Sequence, residues 1–448
     1  MSTGLRQRID DRSAVVAVIG LGYVGLPLAM AFAGVGLRTI GIDNDPGRVT
    51  RLESGASHIL DVSDQTLQKA EQAGFFRATT DYEALREADV IFVSVPTPFD
   101  KAKAPDLSFV ISAAEGIAPR LRAGQLIILE STTFPGTTEE VLRPILERSG
   151  LRAGPEFYLA FSPERIDPGN KKFRIANTPK VVGGIDAEST DLAVHVLRQV
   201  VTEGAVHPVS SPRSAEMTKL LENIFRSVNI ALVNELAMLS DRMGIDLWEV
   251  IQAASTKPYG FMAFTPGPGV GGHCIPVDPY YLSWKAREFD FQTNFIEIAA
   301  ETNLRMPFFT ADRVRRMLTE ARKPTVGARI LAIGGSFKPD IDDARNSAAI
   351  RVMEILASEG ATIEYHDPFV PRLALSGDLY GHHEGGPARL ELRSVDLSPA
   401  RLAAADCVVI LVKHSGIDWQ AILTHAARVF DAVNATRGLQ GNAAVERL

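Results

Sequence analysis

A glycine-rich turn near the amino end of the sequence has the spacing of a nucleotide-phosphate site. Gly20, Gly22 and Gly25 form the pattern G-x-G-x-x-G between an apolar run and a stretch compatible with a helix. Such glycines allow a tight turn and a close backbone approach, and the helix N-terminus attracts a pyrophosphate. Asp43 follows Gly25 by 18 residues, near the spacing of about 20 expected for a ribose-binding carboxylate. Because a carboxylate repels a 2′-phosphate, the pattern favours NAD over NADP. The alternative is that Asp43 only caps a turn.

A second candidate for chemistry is the thiol of Cys274, in the Gly/Pro-rich loop Thr265 to Pro279. Glycines in such a loop let backbone N–H groups approach a ligand and leave a thiol accessible. A nearby cation such as Lys219 would favour the thiolate, which is the nucleophilic form. A cysteine in isolation is more often buried and inert. We give that interpretation to Cys407, which sits in an apolar run.

Short apolar runs around the glycine turn predict a parallel sheet. Val15 to Ile19 precedes the turn, a helix is expected to about Val35, and Thr39 to Ile42 forms the next strand. Three later runs each end in polar or turn residues: Val90 to Val95, Leu126 to Leu129 and Tyr158 to Phe161. Strands that alternate with helices imply a mostly parallel sheet covered on both faces, with ligands at the carboxyl ends of the strands.

The middle of the chain changes to helical spacing. From about Ser214 to Arg242 a broad apolar stripe predicts a long helix with a buried face. Its members are Met217, Leu220, Leu221, Ile224, Phe225, Val228, Ala231, Leu232, Leu236 and Leu239. This face could pack within one chain or support a dimer, and the helix could join two domains. A second helical region, interrupted by the loop of Cys274, runs to roughly Arg322.

A second strand-turn-helix-strand unit follows Pro324. It comprises Arg329 to Ile333, the turn at Gly334, a helix from about Ala348 to Glu359 and a strand from Thr362 to Tyr365. Asp406 to Val412 and Arg428 to Phe430 supply later strands, and Gly377 to Arg389 is expected to be an exposed loop. The predicted fold class is α/β, with two Rossmann-like domains with parallel sheets joined by a long central helix. The expected domains are residues 1–210, 211–322 and 323–448.

Composition narrows the classes of partner and compartment. The 448 residues, 46% hydrophobic and 23% charged, fit a folded chain of two to four domains. With 47 Lys+Arg against 54 Asp+Glu, the net charge of −7 argues against nucleic acid as a partner. Two distant cysteines give neither metal-type clustering nor a disulfide framework, which fits a reducing cytoplasm. The uncharged segment Ala14 to Leu37 is long enough for a membrane span, but its glycines and Pro27 would break that helix.

Several ordered motifs together resemble those of the UDP-sugar dehydrogenases, which use NAD to oxidise the C6 alcohol of a nucleotide sugar to a carboxylate. The resemblance covers nearly the whole chain. The matching stretches are Gly20 to Pro27, Val95 to Pro98, Glu130 to Pro135, Ser162 to Glu164, Glu216 to Asn223 and Pro266 to Pro279. Several such motifs in order are far more specific than any one of them.

The resemblance implies a role for each matching position. Cys274 resembles the nucleophile that forms a thiohemiacetal and then a thioester, and Glu164 the acid/base group near the hydrolytic water. Lys219 and Asn223 would contact the reacting sugar, and Asp278 would partner the lysine and water. The implied NAD contacts are Gly20, Gly22, Tyr23, Val24, Gly25, Asp43, Arg48, Thr97, Thr133 and Arg345. Thr133 would position either the water or the cofactor. The implied substrate contacts are Lys219, Asn223, Phe264, Gly271 and Lys338, and no metal is implied.

Departures from the family pattern bear on the substrate. His273 and Val277 resemble the UDP-N-acetylhexosamine branch, and Ala254 to Leu282 is most similar to UDP-N-acetylglucosamine 6-dehydrogenases. UDP-glucose and UDP-N-acetylmannosamine are the alternatives. Val433 stands where the family usually has a nucleotide-contacting arginine; either Arg437 replaces that arginine or the affinity for UDP is reduced. The expected partners are a UDP-sugar and further copies of the chain, as a homodimer or a higher homo-oligomer.

Two rival functions are weighed against this one. A single-oxidation β-hydroxyacid dehydrogenase would share the N-terminal fold and the helical middle, but it leaves the Cys274 loop unexplained. A binding module that senses NAD or a nucleotide would bind these ligands without turnover.

Overall fold

A computed structural model of the chain describes residues 2–59, 61–100, 104–167, 169–170, 172–272, 275–376 and 388–448. The chain divides into two compact units. The first is Met1–Glu222 with Trp284–Phe291, and the second is Asn223–Ser283 with Gln292–Leu448. The domain boundaries near residues 210 and 322 stay a prediction.

The first unit is built on an eight-stranded sheet. Its strands are β1 (Val15–Ile19), β2 (Arg38–Ile42), β3 (Phe76–Thr79), β4 (Val90–Val93), β5 (Leu126–Leu129), β6 (Tyr158–Phe161), β7 (Lys180–Gly184) and β8 (Val206–Pro208). Its helices are α1 (Ser2–Asp10), α2 (Gly25–Gly34), α3 (Pro46–Glu53), α4 (Asp64–Gln72), α5 (Ser108–Ile117), α6 (Arg143–Leu146) and α7 (Ala187–Leu197). The strand order is β3-β2-β1-β4-β5-β6-β7-β8, and every pair is parallel except β6 with β7.

Both faces of this sheet are covered at its centre, where β1, β4, β5 and β6 are buried at every position. All five residues of β1 are buried. Val16 and Val18 point into a core shared with α2, whereas Val15, Ala17 and Ile19 point into a second core shared with α5. A parallel strand buried on two faces reads as a continuous apolar run. The prediction of a mostly parallel sheet with helices on both faces is therefore confirmed.

The second unit contains a smaller parallel sheet. The long helix α8 (Pro212–Met243) leads from the first unit into it, and α9 (Leu247–Ala254), α10 (Asp278–Ala286) and α11 (Asn294–Glu320) follow. The later elements are β9 (Arg329–Ile333), α12 (Ala348–Ser358), β10 (Thr362–His366), β11 (Arg372–Ser376), β12 (Ala388–Arg393), α13 (Pro399–Ala404), β13 (Cys407–Ile410), α14 (Trp419–His425), β14 (Arg428–Asp431) and β15 (Ala444–Arg447). The parallel strand order is β10-β9-β13-β14-β15, and β11 pairs with β12 as an antiparallel ribbon.

Two expectations about this part of the chain need correction. Most of the predicted stripe of α8 is not a buried face: six of its ten residues, which we call the exposed stripe, are 39% to 59% exposed, namely Met217, Leu221, Phe225, Leu232, Leu236 and Leu239. Leu220 and Ala231, which belong to the predicted stripe, are buried, and so is Ala237. The predicted loop Gly377 to Arg389 falls mostly outside the described residues, but its last two positions already belong to β12. Cys407 is fully buried, as predicted.

Among the described residues, the search for a helix both long and apolar enough to cross a bilayer finds none. The uncharged segment considered above folds instead as β1, the glycine turn and the ten-residue helix α2. A cytoplasmic location stays a prediction.

Candidate active site

The glycine turn between β1 and α2 needs two of its three glycines for steric reasons. Gly20 has a φ of +90°, and a Cβ there would lie 2.3 Å from the carbonyl oxygen of Ser94. A Cβ on Gly25 would lie 1.8 Å from the carbonyl oxygen of Gly20. At Gly22 a Cβ would meet nothing within 4 Å, so the backbone here borders open space. The turn thus leaves room for a pyrophosphate at the start of α2, which Tyr23 and the N-cap residue Val24 directly precede.

Asp43 follows β2 and is tied to the glycine turn. Its Oδ2 accepts hydrogen bonds from the backbone N–H of Leu21 and from Arg48 Nη1, each at 2.8 Å. Its Oδ1 accepts from the backbone N–H of Asp45 at 3.0 Å. A carboxylate offers about four acceptor positions, so these three bonds still allow a ribose hydroxyl to donate. Asp43 therefore does brace a turn, and the residues around it also fit NAD.

The carboxyl ends of β4 and β5 are joined by one serine. Ser131 Oγ accepts from the backbone N–H of Val95 at 2.9 Å, and the same hydroxyl contacts the Val95 carbonyl at 2.8 Å. This contact sets the loop of Thr97 beside the loop of Thr133. Thr133 is fully buried, and its Oγ1 has no hydrogen-bond partner among the described residues. An orphaned hydroxyl at a strand end fits the predicted role of Thr133 in holding water or the cofactor.

Glu164, just after β6, belongs to a buried cluster of three charged groups. Lys180 Nζ donates to Glu164 Oε2 at 2.9 Å and also to Glu130 Oε1. Glu164 Oε1 accepts from the backbone N–H groups of Arg165, at 2.6 Å, and of Ile166. The side chains of Lys180, Glu130 and Glu164 are 2%, 0% and 8% exposed.

The three groups shift one another's ionisation. Burial raises the pKa of Glu130 to about 8, against the attraction of Lys180 and helped by the nearby charge of Glu164. Burial also acts to raise the pKa of Glu164, but Lys180 and the Ile166 N–H outweigh it, so this pKa is lowered. The two carboxylates outweigh the effect of burial on Lys180 and raise its pKa. At neutral pH Glu164 is therefore a carboxylate and Glu130 is neutral.

The start of α8 is anchored to the same edge of the sheet. The buried carboxylate of Glu216 accepts from the backbone N–H of Gly136 at 2.6 Å and from the N–H and Oγ1 of Thr138 at 2.9 and 2.7 Å. One turn further along α8, Lys219 Nζ donates to the carbonyl oxygen of Glu164 at 2.5 Å. The first unit thus places the ammonium of Lys219 next to the residue that carries the candidate base.

In the second unit, Asn223 and Asp278 form a buried pair. Asn223 lies one turn beyond Lys219 on α8, and its Nδ2 donates to Oδ2 of Asp278, the first residue of α10. Both side chains are buried. Two residues further along α8, Phe225 contacts the ring of Phe264 edge-on, with centroids 5.8 Å apart.

The glycines of the loop 265–272 allow it to pack against the segment that follows β9. A Cβ on Gly271 would lie 2.8 Å from both Phe337 Cβ and the Asn346 carbonyl oxygen. Gly272 has a φ of +90°, and its carbonyl accepts from Asn346 Nδ2 at 3.3 Å. Gly271 is therefore required for close approach. Cys274, its neighbour His273 and all their contacts lie outside the described residues, so the role of Cys274 stays a prediction.

Lys338 lies in a loop that a second aspartate braces. Asp367 Oδ2 accepts from the backbone N–H groups of Gly335 and Ser336, at 2.7 and 3.0 Å, and from Nε2 of the buried His414 at 3.0 Å. Burial acts to raise the pKa of Asp367, but the hydrogen bonds from His414 and the backbone lower it to about 2. In the same segment Arg345 forms a two-pronged ion pair with Asp343.

The departure at Val433 lies in a loop closed by Asp431. This buried carboxylate accepts from the backbone N–H groups of Val433, Ala435 and Thr436 at 2.8 to 3.2 Å. Val433 packs against an apolar core of the second unit. Arg437 is exposed and donates to Gln252 Oε1 on α9. The proposed replacement of the family arginine by Arg437 stays a prediction.

The structure adds partners that sequence reasoning did not single out. Lys180, Glu130 and Glu216 were outside the predicted site, although Glu130 and Glu216 fall in the quoted motifs. The sequence feature that could have identified this cluster is the lysine at the start of the apolar strand Lys180–Gly184, because a buried charge needs partners. The described residues bring together Glu164 with Lys219, Asp43 with Arg48, and Asn223 with Asp278.

Comparison with known proteins gives consistent matches along the chain. Profiles of the UDP-glucose/GDP-mannose dehydrogenase family match residues 14–201 as the NAD binding domain, 213–305 as the central domain and 331–438 as the UDP binding domain. The UDP-N-acetyl-D-glucosamine 6-dehydrogenase of Pseudomonas aeruginosa is 40% identical over 356 residues, 79% of this chain and 83% of that protein. The enzyme of the same name from Salmonella typhi is 34% identical over 89% of each chain.

A solved structure is similar over nearly the whole length. The UDP-D-ManNAc dehydrogenase of Pyrococcus horikoshii superposes with a TM-score of 0.85 at 32% identity, covering 97% of this chain and 98% of that one. The similar proteins thus differ among themselves in the N-acetylhexosamine that their names specify.

Proposed function

Since the chain belongs to the UDP-glucose/GDP-mannose dehydrogenase family, we propose that it oxidises the C6 alcohol of a UDP-N-acetylhexosamine to the uronic acid in two NAD-dependent steps. Our first candidate substrate is UDP-N-acetylglucosamine. Membership makes the chain an NAD-dependent UDP-sugar dehydrogenase, and hence an oxidoreductase. The observation that carries the proposal is that the ammonium of Lys219 lies next to the residue with the buried carboxylate, just after β6. Lys219 donates a hydrogen bond to the main-chain carbonyl oxygen of Glu164.

The first oxidation takes a proton from the C6 hydroxyl and a hydride from C6. NAD bound at the glycine turn supplies the hydride acceptor. Lys219 stabilises the negative charge that develops on the sugar oxygen. Asn223 donates one of its two amide hydrogens to Asp278, which leaves the other to orient the same oxygen. Because the two residues are four apart on one helix, their side chains share a face.

The second oxidation runs through Cys274. The thiolate adds to the aldehyde, whose oxygen takes up a proton, to give a thiohemiacetal; loss of the hydroxyl proton to solvent and of a hydride from C6, which a second NAD would accept, gives a thioester. Water then cleaves the thioester to the uronic acid and returns the thiol. We assign the water proton to Glu164, because Lys180 and the Ile166 N–H outweigh burial and keep the pKa of this buried group low, so that it stays a carboxylate able to accept a proton at neutral pH. Asp278 holds Asn223 and so acts through that side chain.

Two lines of argument support the N-acetylhexosamine as substrate. His273 and Val277 follow the pattern of that branch, and Val277 is buried beside the start of α10. The similar proteins of P. aeruginosa and S. typhi are named for UDP-N-acetylglucosamine, whereas the P. horikoshii structure is named for the mannosamine sugar. One stereocentre separates these substrates, so a direct comparison is needed.

The test is a panel of UDP-glucose, UDP-N-acetylglucosamine and UDP-N-acetylmannosamine with NAD, scored by kcat/KM and by NADH formed per sugar. We expect the highest kcat/KM with UDP-N-acetylglucosamine and about two NADH per sugar. Cys274→Ser should yield no uronic acid and at most about one NADH per sugar. The control Cys407→Ala, at a buried thiol of the second unit, should keep the wild-type stoichiometry. A wild-type reaction that stops at one NADH contradicts the thioester route.

We also propose that the chain forms a homodimer through the exposed stripe of α8. A row of large apolar side chains on the surface of one long helix is typical of a protein interface. A helix can pair with its own copy about a twofold axis, so that one stripe covers the other.

A further inference from the structure

The cluster of Glu164, Lys180 and Glu130 has one negative charge too many if all three groups are ionised. Each side chain is at least nine-tenths buried. Two carboxylates and one ammonium would leave an uncompensated buried charge, which is strongly unfavourable. Glu130 Oε2 is buried and has no partner as an acceptor among the described residues. A proton on Glu130 removes both problems, since it cancels the excess charge and lets the carboxyl donate a hydrogen bond.

The surrounding charges do not alter this balance. Arg165 lies beside Glu164 in the chain, but its guanidinium is paired with Glu222 on α8. Lys219 is directed to the main-chain oxygen of Glu164 rather than to its carboxylate. Among the described residues, the Glu164 carboxylate thus contacts the Lys180 ammonium, two backbone N–H groups and the side chain of Glu130.

We propose that Lys180 and Glu130 are positioning residues for thioester hydrolysis: Lys180 holds Glu164 as an aligned carboxylate base, and Glu130 carries the proton that keeps the cluster neutral. This inference rests on the proposed function, in which Glu164 accepts the proton of the attacking water. Donors fix Glu164 on both oxygens: Oε1 accepts from two backbone N–H groups and Oε2 from Lys180, so the further acceptor position for that water is on Oε2. Glu130 and Lys180 touch neither water nor sugar in this scheme and act only through Glu164.

The proposal predicts how hydrolysis depends on pH. Without Lys180 the Glu164 carboxylate loses its cation, so its pKa rises and more base is needed to ionise it. Above about pH 8 Glu130 itself ionises and competes for Lys180, which makes Glu164 more basic. The hydrolysis rate of the wild type should therefore decrease at acid pH, where Glu164 becomes protonated, and increase near pH 8, where Glu130 ionises.

The experiment measures hydrolysis apart from oxidation. The protein is mixed with radiolabelled UDP-N-acetylglucosamine and excess NAD, and the decay of protein-bound sugar after acid quenching is followed between about pH 3 and pH 9, a range that includes the lowered pKa of Glu164. Lys180→Met should keep the initial NADH burst. The fall of its hydrolysis rate at acid pH, which we call the acid limb, should move to higher pH by about one unit or more, so that at a pH within this limb the variant hydrolyses about tenfold more slowly than the wild type. Glu130→Gln, which mimics the neutral acid, should keep the rate at pH 7 within about twofold and lose the rate increase near pH 8.

Lys285→Met is the matched control, because Lys285 is also a buried lysine between two glutamates. Its Nζ contacts Glu140 at 2.7 Å and Glu288 at 2.6 Å. This variant should lose stability but leave the acid limb unmoved. An unmoved limb in Lys180→Met, or an equal shift in Lys285→Met, overturns the inference. If Lys180→Met does not fold, Glu130→Gln tests the inference instead. A rate increase near pH 8 that persists in Glu130→Gln also overturns the inference. A wild type that forms no NADH with any UDP-sugar refutes the proposed function instead.

Discussion

At the level of single residues, Asp43 combines a structural contact with the proposed choice of cofactor. Its carboxylate holds the Leu21 N–H and also occupies the Arg48 guanidinium. In Asp43→Asn the negative charge that repels a 2′-phosphate is gone, and Arg48 is released to pair with that phosphate. We expect the ratio of kcat/KM for NAD to that for NADP to fall by at least about tenfold. Steady-state kinetics with both cofactors measures this ratio.

Asp367 provides a control with the same local geometry. It braces the Gly335 turn of the second unit as Asp43 braces the first. Asp367→Asn should weaken the hold on the loop of Lys338 and raise KM for the UDP-sugar, with no change in the NAD to NADP ratio. An equal change of that ratio in both variants would mean that it reflects general loosening rather than the charge of Asp43.

At the level of secondary-structure elements, Glu216 fixes α8 to the loop that carries Thr133. Its buried carboxylate accepts three hydrogen bonds from Gly136 and Thr138. Glu216→Gln replaces one acceptor oxygen by a donor that faces N–H groups, so we expect a loss of about 1–3 kcal/mol in the free energy of unfolding. Urea denaturation measures this loss, and kcat should fall as well because Thr133 moves with its loop.

The surface pair Glu139 with Arg213 serves as the comparison for Glu216. It links the same helix and the same segment, with Arg213 about half exposed. Because exposed ion pairs contribute about 0–1 kcal/mol, Glu139→Gln should unfold almost as the wild type does. If the two variants lose equal stability, the buried carboxylate does not anchor the helix.

The direction of one strand explains what the sequence could not reveal about the site. The bounds of β1, β5, β6 and β9 follow directly from apolar runs. The predicted strands do not include Lys180–Gly184, and in a parallel orientation β7 would have placed its first residue at the far edge of the sheet. Since β7 is antiparallel to β6, Lys180 starts at the edge where β5 and β6 end, beside Glu130 and Glu164.

The antiparallel ribbon of β11 and β12 was likewise unforeseen. Its strands alternate polar and apolar residues, and they flank the Gly/His-rich stretch 377–387, whose composition suggests a loop. Pairing across so long a connection leaves no local turn signal. The Lys219 and Asn223 pair, by contrast, was predictable, because a four-residue spacing on a helix fixes a shared face.

At the level of the whole molecule, the exposed stripe of α8 calls for an explanation. Six large apolar side chains on this helix are 39% to 59% exposed. A helix of 32 residues is about 48 Å long, so the stripe offers an extended surface. Leaving it in water costs roughly 25 cal/mol for each Å² of apolar area. A second copy of the chain, lying across the same stripe, would cover it with identical residues.

A single charge in the centre of the stripe tests this pairing. In Leu232→Asp the twofold axis would bring two carboxylates into one apolar contact, where neither has a partner. We expect the wild type to sediment at twice the monomer mass and the variant to sediment as a monomer at the same concentration. Val326, which is 71% exposed and lies beside Gly360 rather than on α8, supplies the control Val326→Asp, which should remain dimeric. A Leu232→Asp variant that keeps the wild-type mass, while circular dichroism shows an intact fold, would place any self-association on another surface.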